Sequence, residues 1–264
     1  MDRATKEGRA VLAARVANAV VFAATLALAT TAAAQVPATD TTQHHVRFDA
    51  TALRPGQFTY EMSLERDSKT TILGARTVTV ARTTYNAAPA WLLFEARSGD
   101  GRPASDSLFA DVTGLHPLHW SSTQGLSRLA AEFRGDTVFG ATAAPPGRRS
   151  IVSIVPSGTI VSSAMLETVL RLLPLQTAWE DSTSVLSITL STTSVVPTRF
   201  AVIGEDRVRV PAGTFDCWVV AVHADPARGL YWVTKQDPQV VRSALDVPSL
   251  GGAQLVSALT RAVW

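Results

Sequence analysis

The sequence contains one cysteine, Cys217, among 264 residues. A single thiol excludes a disulfide within the chain, and it excludes zinc sites built from several cysteines. Cys217 alternates in phase with Phe215 and Val219 in a strand-like segment, so we expect it to be a small buried hydrophobe. Asp216 then falls on the opposite face, where a solvated carboxylate is expected.

The short motifs of common catalytic sites are also absent. There is no G-x-S-x-G elbow, no S-x-x-K, no H-E-x-x-H and no glycine-rich phosphate loop. His116 and His119 flank Pro117, and we interpret this stretch as a surface loop and not as a metal site. The sequence therefore predicts no enzyme, no metal and no cofactor.

Basic residues barely outnumber acidic ones in this sequence. The chain has 24 Lys+Arg and 22 Asp+Glu. Residues 1–34 contain four basic and two acidic side chains, which leaves 20 of each in the remainder. Nucleic-acid binding requires a cluster of basic residues that displaces phosphate counterions. That class of function is therefore excluded.

What is present first is an export signal. The basic start of the chain precedes an apolar run at residues 16–29, and Ala32-Ala33-Ala34 follows. This order is typical of a secretory signal peptide, and the run is shorter than the roughly 20 residues that span a bilayer. With no cysteine at the cut and no Arg-Arg pair before the apolar run, we expect general secretion of a non-lipidated protein that begins at Gln35. Its location is predicted to be periplasmic or secreted, with no transmembrane segment after cleavage.

Alternating apolar and polar residues predict strands through most of the remaining chain. The clearest case starts at Gln57, where Phe58, Tyr60 and Met62 share one face. Gly135-Asp136 is expected to form a tight hairpin. The strands are predicted at 57–65, 71–82, 91–97, 107–112, 126–134, 137–139, 185–191, 200–203, 207–210, 215–223, 230–234, 240–243 and 254–261.

One segment, at residues 162–174, has helical spacing instead. Ser162-Ser163 provides an N-cap, Pro174 ends the helix, and Glu167 and Arg171 are spaced to pair along it. The apolar residues that recur are Met165, Leu166, Val169, Leu170, Leu172 and Leu173. We predict a mainly β fold, in which an antiparallel curved sheet or half-barrel wraps around this one apolar helix.

Three segments of the C-terminal half resemble a known family. They are residues 165–175, 208–217 and 231–238, and the most specific features are V-P-A-G-T-F-x-C followed by W-V-[ST]-K. They resemble the exported bacterial family catalogued as domain of unknown function 3108. The resemblance implies a half-barrel similar to lipoprotein carriers, an apolar interior, an envelope location and no assigned reaction. It extends over residues 46–262.

The predicted organisation is a signal peptide at 1–34, a flexible lead-in at 35–45 and a single β-rich domain at 46–264. Two functions remain open. The first is binding of a lipid-like or other apolar ligand inside the half-barrel. The second is a non-catalytic structural or interaction protein of the envelope, with a solid core and a protein partner. Tryptophans line apolar pockets and also fill β cores. The ligand-binding residues predicted for the first function are Met165, Leu166, Val169, Leu170, Leu173, Trp218 and Trp232.

Overall fold

The computed structural model describes residues 49–99, 103–144, 147–154, 160–161, 165–188, 193–225 and 227–264. The predicted signal peptide, the lead-in and the helix N-cap at residues 162–163 lie outside the described residues. Within the described ranges, no helix has the length and apolar character needed to cross a membrane.

A single sheet of 15 strands accounts for most of the described chain. The strands are β1 Gly56–Arg66, β2 Lys69–Tyr85, β3 Ala88–Gly99, β4 Ala104–Asp111, β5 Pro117–Gln124, β6 Ser127–Arg134, β7 Thr137–Ala144, β8 Gly147–Ile154, β9 Ile160–Val161, β10 Glu180–Ile188, β11 Thr193–Val210, β12 Gly213–Ala224, β13 Ala227–Thr234, β14 Val240–Val247 and β15 Ala253–Val263. β1 and β15 are neighbours in the middle of the sheet. From β1 the strands β2 to β8 follow one another to one edge, and from β15 the strands β14 to β9 follow one another to the other edge. Neighbours are antiparallel except β9 and β10, which run parallel.

The order of the strands requires the sheet to curl. Laid flat, 15 strands at a spacing of about 4.8 Å would be about 67 Å wide. Ile154 and Ile160 lie on the two opposite edge strands, yet only five residues join them in the chain, and those six Cα–Cα steps reach at most about 22 Å. The sheet therefore bends until its two edges approach each other. The result is a curved, unclosed antiparallel barrel, as the predicted half-barrel requires.

Short turns fix the register of the N-terminal hairpins. Asp67 and Ser68 join β1 to β2, and Asn86 and Ala87 join β2 to β3, all with positive φ angles between 49° and 65°. Two consecutive positive φ angles characterise the tight hairpin turn whose twist matches that of the strands. The predicted hairpin at Gly135-Asp136 is confirmed, because Arg134 pairs with Thr137 across it.

Two strand predictions were wrong. The stretch from Pro117 to His119 is the start of β5 and not a loop; proline is tolerated there because it stands at the first position of the strand. The segments 200–203 and 207–210 belong to one strand, β11, which contains a bulge between Val202 and Gly204. A bulge adds an unpaired residue without ending a strand, so it interrupts the alternation that reveals strands in sequence.

The helix is much shorter than predicted. The helix α1 spans Leu166–Leu170, and its first turn has no side-chain cap at Met165. The sheet therefore does not wrap around a helix of 13 residues. The core is built chiefly from sheet side chains, with Trp91, Tyr60, Phe58 and Phe200 among the largest that are fully buried. α1 packs into this core through Val169 and Leu170.

Candidate functional site

An open cleft lies at one end of the barrel. Its walls are the β11–β12 turn, the β13–β14 turn and the end of β15, and its volume is about 1070 Å³. The apolar lining consists of Ala212, Phe215, Cys217, Val241, Leu259, Ala262 and Trp264. The charged lining consists of Glu205, Asp206, Arg207, Asp216, Lys235, Asp237 and Arg261. The cleft thus combines an apolar wall with a charged rim.

The β11–β12 turn is held over the cleft by the backbone. Gly213 adopts φ = 146°, a conformation that residues with a side chain rarely adopt. The N–H of Ala212 donates a hydrogen bond of 2.9 Å to the carbonyl of Leu259 on β15. This contact joins strands that are not neighbours in the sheet. It places the half-buried ring of Phe215 opposite the end of β15.

The β13–β14 turn is closed by Thr234. Its hydroxyl donates to the carbonyl of Asp237 at 2.9 Å and accepts the N–H of Gln239 at 2.8 Å. The Thr234 N–H donates to the carbonyl of Gln239 at 2.9 Å. The turn therefore needs a serine or threonine at this position, because a hydroxyl can donate one hydrogen bond and accept another at the same time.

The charges at the rim are largely paired with one another. The Lys235 ammonium lies 2.5 Å from a Glu205 oxygen and 4.3 Å from the centre of the Trp218 ring. Arg207 and Asp216 face each other at 3.8 Å. Asp237 pairs at 3.0 Å with Arg54, a residue that is not part of the cleft lining. The rim therefore offers little net charge to a ligand.

Cys217 lies in the wall of the cleft and is fully buried. Burial, together with the carboxylates of Asp206 and Asp216, raises the pKa of its thiol to about 12. A thiol in this state is a poor nucleophile, since the thiolate is the reactive form. The sequence prediction of a buried small hydrophobe is confirmed.

The cleft is connected to α1 through Arg171. Its Nε donates to the carbonyl of Pro238 in the β13–β14 turn at 3.1 Å. The same guanidinium lies 4.8 Å from the Phe58 ring and 5.4 Å from the Trp264 ring. Burial lowers the pKa of Arg171 to about 10, so the side chain stays cationic at neutral pH. Arg171 thus supports both the turn and an aromatic wall of the cleft.

A second cluster, of buried charges, lies between α1 and the inner face of the sheet. Arg76 on β2 contacts Glu167 of α1 at 2.5 Å, Glu95 on β3 at 3.4 Å and the Ser257 hydroxyl at 3.2 Å. Its guanidinium also lies 4.3 Å from the Tyr60 ring. The interior is therefore not uniformly apolar, which corrects the expectation drawn from the family resemblance.

The same cluster corrects the predicted pairing of Glu167 with Arg171 along the helix. Glu167 turns inward and forms its ion pair with Arg76 instead. Burial raises the pKa of Glu167, while the Arg76 charge and hydrogen bond oppose that rise. The three nitrogens of the Arg76 guanidinium all have acceptors within the protein. The cluster is therefore an internal support for α1.

Comparison with known proteins identifies the family. The family model described as "Protein of unknown function (DUF3108)" matches residues 59–253. The chain belongs to this family. No curated protein matches it.

Two solved structures are similar to the chain at low sequence identity. One is a β-barrel-like protein of domain of unknown function DUF1849 from Brucella abortus, with 13% identity, 83% of this chain and 98% of that chain covered, and a TM-score of 0.49. The other is a DUF1329 family protein from Desulfovibrio piger ATCC 29098, with 12% identity, 80% and 85% coverage, and a TM-score of 0.25.

The two most specific segments of the family resemblance meet at the cleft. Cys217 of the first pairs directly with Thr234 of the second, as neighbours on β12 and β13. Residues of both segments line the cleft, among them Phe215 and Lys235. The resemblance located these segments in the sequence, but their pairing appears only in the fold.

The residues predicted to bind a ligand lie elsewhere. Met165, Val169, Leu170 and Leu173 are buried in the main core, and Leu166 packs against it. Neither Trp218 nor Trp232 is part of the cleft lining. The structure brings the five residues of the helical segment together but does not bring them to the cleft. Ligand binding by this set remains a prediction.

The two tryptophans stand beside the cleft, in polar settings. The Trp232 Nε1–H donates to Asp206 at 3.0 Å, and Arg242 stacks over its ring at 4.9 Å. Trp218 is covered by Lys235. Trp232 also belongs to the main core, and Trp218 packs against it.

His116 and His119 form separate pairs. The His116 Nδ1 lies 2.7 Å from Asp111, and the His119 Nδ1 lies 2.8 Å from Glu132. Each imidazole thus has its own carboxylate. Within the described ranges, no three His, Cys, Asp or Glu side chains are grouped so as to hold a metal ion.

Sequence reasoning missed Gln239, Val241, Leu259 and Trp264 as cleft residues. Their strands were predicted or adjoin predicted strands, but alternation along one strand does not show which residues of different strands converge. The sequence did offer one signal for the position of the cleft, namely the two resemblance segments 208–217 and 231–238. The second of these ends directly before Gln239.

Proposed function

We propose that this protein is an exported, non-catalytic binding protein of the cell envelope, and that it holds an apolar chain in the cleft. The observation that carries the proposal is the cleft itself. It is concave, it is lined by the two most specific family segments, and its apolar wall is partly open to solvent. Ligand sites are typically concave and mostly apolar, with volumes of about 300–1,000 Å³.

The apolar wall supports a chain-like ligand. Phe215 is half-buried and Trp264 is 58% exposed, while Val241 and Leu259, which also line the cleft, are buried. Aromatic side chains that remain exposed in a concavity gain from being covered by an apolar group. The charged rim keeps the entrance hydrated, so the bound molecule has both an apolar part and a polar end.

The chemistry of the cleft supports binding without catalysis. Asp216 and Lys235 are engaged in ion pairs, and the high pKa of Cys217 keeps its thiol protonated. A general base or a nucleophile needs a free, activated group.

Export is supported by the N-terminal pattern of basic start, apolar run and small residues before Gln35. Sequencing of the secreted protein should give Gln35 as the first residue. A protein in the envelope that still began at Met1 would contradict cleavage.

The experiment that tests the binding function uses the uncharged dye N-phenyl-1-naphthylamine, whose fluorescence increases in apolar surroundings. We expect the protein to bind the dye and Phe215→Ala to weaken binding at least about tenfold, which corresponds to the loss of roughly 1.4 kcal/mol of apolar contact. The control is Phe139→Ala, because Phe139 is exposed on β7 and is not a cleft residue. Equal affinity of both variants and the parent protein, or no dye binding at all, would refute the proposal.

A second candidate function is a structural or interaction protein with a solid core. The observation that favours it is the pair of outermost strands, since β8 and β9 each have a neighbour on one side only among the strands that the structure describes. An unpaired edge can accept an extended segment of a partner. Failure of dye binding, combined with specific capture of an envelope protein that a proline at Ser150 in β8 abolishes, would select this function.

A further inference from the structure

Gln239 occupies the junction between the β13–β14 turn and the interior. The residue lines the cleft, yet it is only 5% exposed. Its Nε2 lies 2.6 Å from the Tyr60 hydroxyl and 3.2 Å from the Val240 carbonyl. The Tyr60 hydroxyl itself lies 2.9 Å from the same Val240 carbonyl.

These contacts fix the orientation of the amide. The Val240 carbonyl is an acceptor only, so the atom at 3.2 Å from it has to be the N–H₂ group of Gln239. Burial raises the pKa of Tyr60, so its hydroxyl keeps a single hydrogen, which it donates to Val240. It then accepts a hydrogen bond from Gln239. A flipped amide would place two acceptors against each other.

The orientation leaves the other end of the amide without a partner. The Gln239 Oε1 is buried and has no hydrogen bond among the described residues. Buried acceptors in folded proteins are nearly always paired, with protein, with water or with a ligand. Here the unpaired acceptor belongs to a residue that lines the cleft, as Val241 and Leu259 also do.

We propose that Gln239 Oε1 accepts a hydrogen bond from the polar end of the bound molecule, which is an uncharged head bearing a hydroxyl or amide N–H donor on a single apolar chain. This inference rests on the proposed function of the cleft. The head is uncharged because the charges of the lining nearly cancel: the carboxylates of Glu205, Asp206, Asp216 and Asp237 stand against the cations of Arg207, Lys235 and Arg261. An acceptor with a free lone pair selects a donor, and the paired rim does not select for charge.

Two probes with the same chain test the inference. One is 1-monooleoylglycerol, which has two hydroxyl donors, and the other is methyl oleate, which has none. Binding below the aggregation concentration is followed by the intrinsic tryptophan fluorescence of the mature protein. We expect the protein to bind the glyceride about tenfold more tightly, as one hydrogen bond to a buried acceptor provides. In Gln239→Leu, the two probes should bind equally, at the affinity that the parent protein has for methyl oleate.

The control is Tyr60→Phe. It removes the hydroxyl that contacts Nε2 and leaves Oε1 in place, with the amide still oriented by Val240. It should keep the tenfold preference. If Tyr60→Phe loses the preference as Gln239→Leu does, the preference comes from the internal network and the inference is wrong.

The comparison of the two probes on the unmodified protein needs no variant and decides the matter even where Gln239→Leu does not fold. Equal binding of both probes would overturn the role of Gln239, because its Oε1 then accepts no hydrogen bond from the bound molecule, and would leave the apolar cleft intact. Binding of neither probe would overturn the proposed function, and this inference with it.

Discussion

Arg76 brings a full positive charge into the interior of the sheet. Its residue exposure is 7%, and its contacts are Glu95, Glu167 and Ser257. Desolvation acts to lower the pKa of Arg76, but the two carboxylates raise it above its ordinary value. A buried ion pair of this kind is costly to disrupt from one side, because the remaining charges have no solvent.

Arg76→Met should therefore lower the free energy of unfolding at pH 7 by about 3–5 kcal/mol, as measured by urea denaturation. The matched control is Arg199→Met. Arg199 pairs with Glu180 at the surface, where both side chains are mostly exposed, and an exposed pair contributes about 0–1 kcal/mol. Equal losses in the two variants would show that the buried cluster does not support the fold.

The loss of unfolding free energy caused by Arg76→Met should also depend on pH. Burial already raises the pKa of Glu167, and removal of its cation raises it further. A carboxyl whose pKa is higher in the folded state stabilises the fold below its unfolded pKa, and this contribution is lost as the pH rises through the folded value. The variant should consequently lose less stability at pH 4.5 than at pH 7, relative to the parent protein. A deficit that stays constant or grows toward acid pH would contradict this assignment.

At the scale of elements, the strands with regular alternation were predictable and the irregular ones were not. β1 was recovered because Phe58 and Tyr60 keep one phase across a half-buried strand. β12 was recovered in extent but not in phase, because Cys217 and then Val220 and Val222 are buried. Its neighbour β11 has a bulge between Val202 and Gly204, opposite this change of phase. A bulge alters which residues face the core, and no single-strand pattern contains that information.

The helix shows the opposite error. The apolar spacing from Met165 to Leu173 correctly marked residues that enter the core. The spacing overestimated the length of the helix. Leu173 is buried although it lies beyond the end of the helix, in a turn before Pro174. Glu167 was assigned to a local partner because Arg76 is 91 residues away in sequence. Spacing along a helix reports local neighbours, whereas this contact depends on the curvature of the sheet.

At the scale of the molecule, curling of the sheet creates the cleft. The backbone contact between Ala212 and Leu259 brings the β11–β12 turn to the end of β15. The same bend brings segments 208–217 and 231–238 to the end of β15, where Trp264 lines the cleft and contacts the ring of Phe58 on the neighbouring strand β1. The half-barrel and its family were predictable from the strand pattern and the two segments. The position of the cleft was not, because it depends on contacts between strands that are distant in sequence.

The central proposal is that this protein binds a ligand in the cleft and not beneath α1. The most direct test is photo-crosslinking of the mature protein with a long-chain alcohol that carries a diazirine in its chain, followed by mass-spectrometric mapping of the modified peptides. We predict adducts within residues 205–217, 234–241 and 259–264, and competition by 1-monooleoylglycerol. Adducts confined to residues 165–173, or spread over the outer surface without competition, would contradict the account.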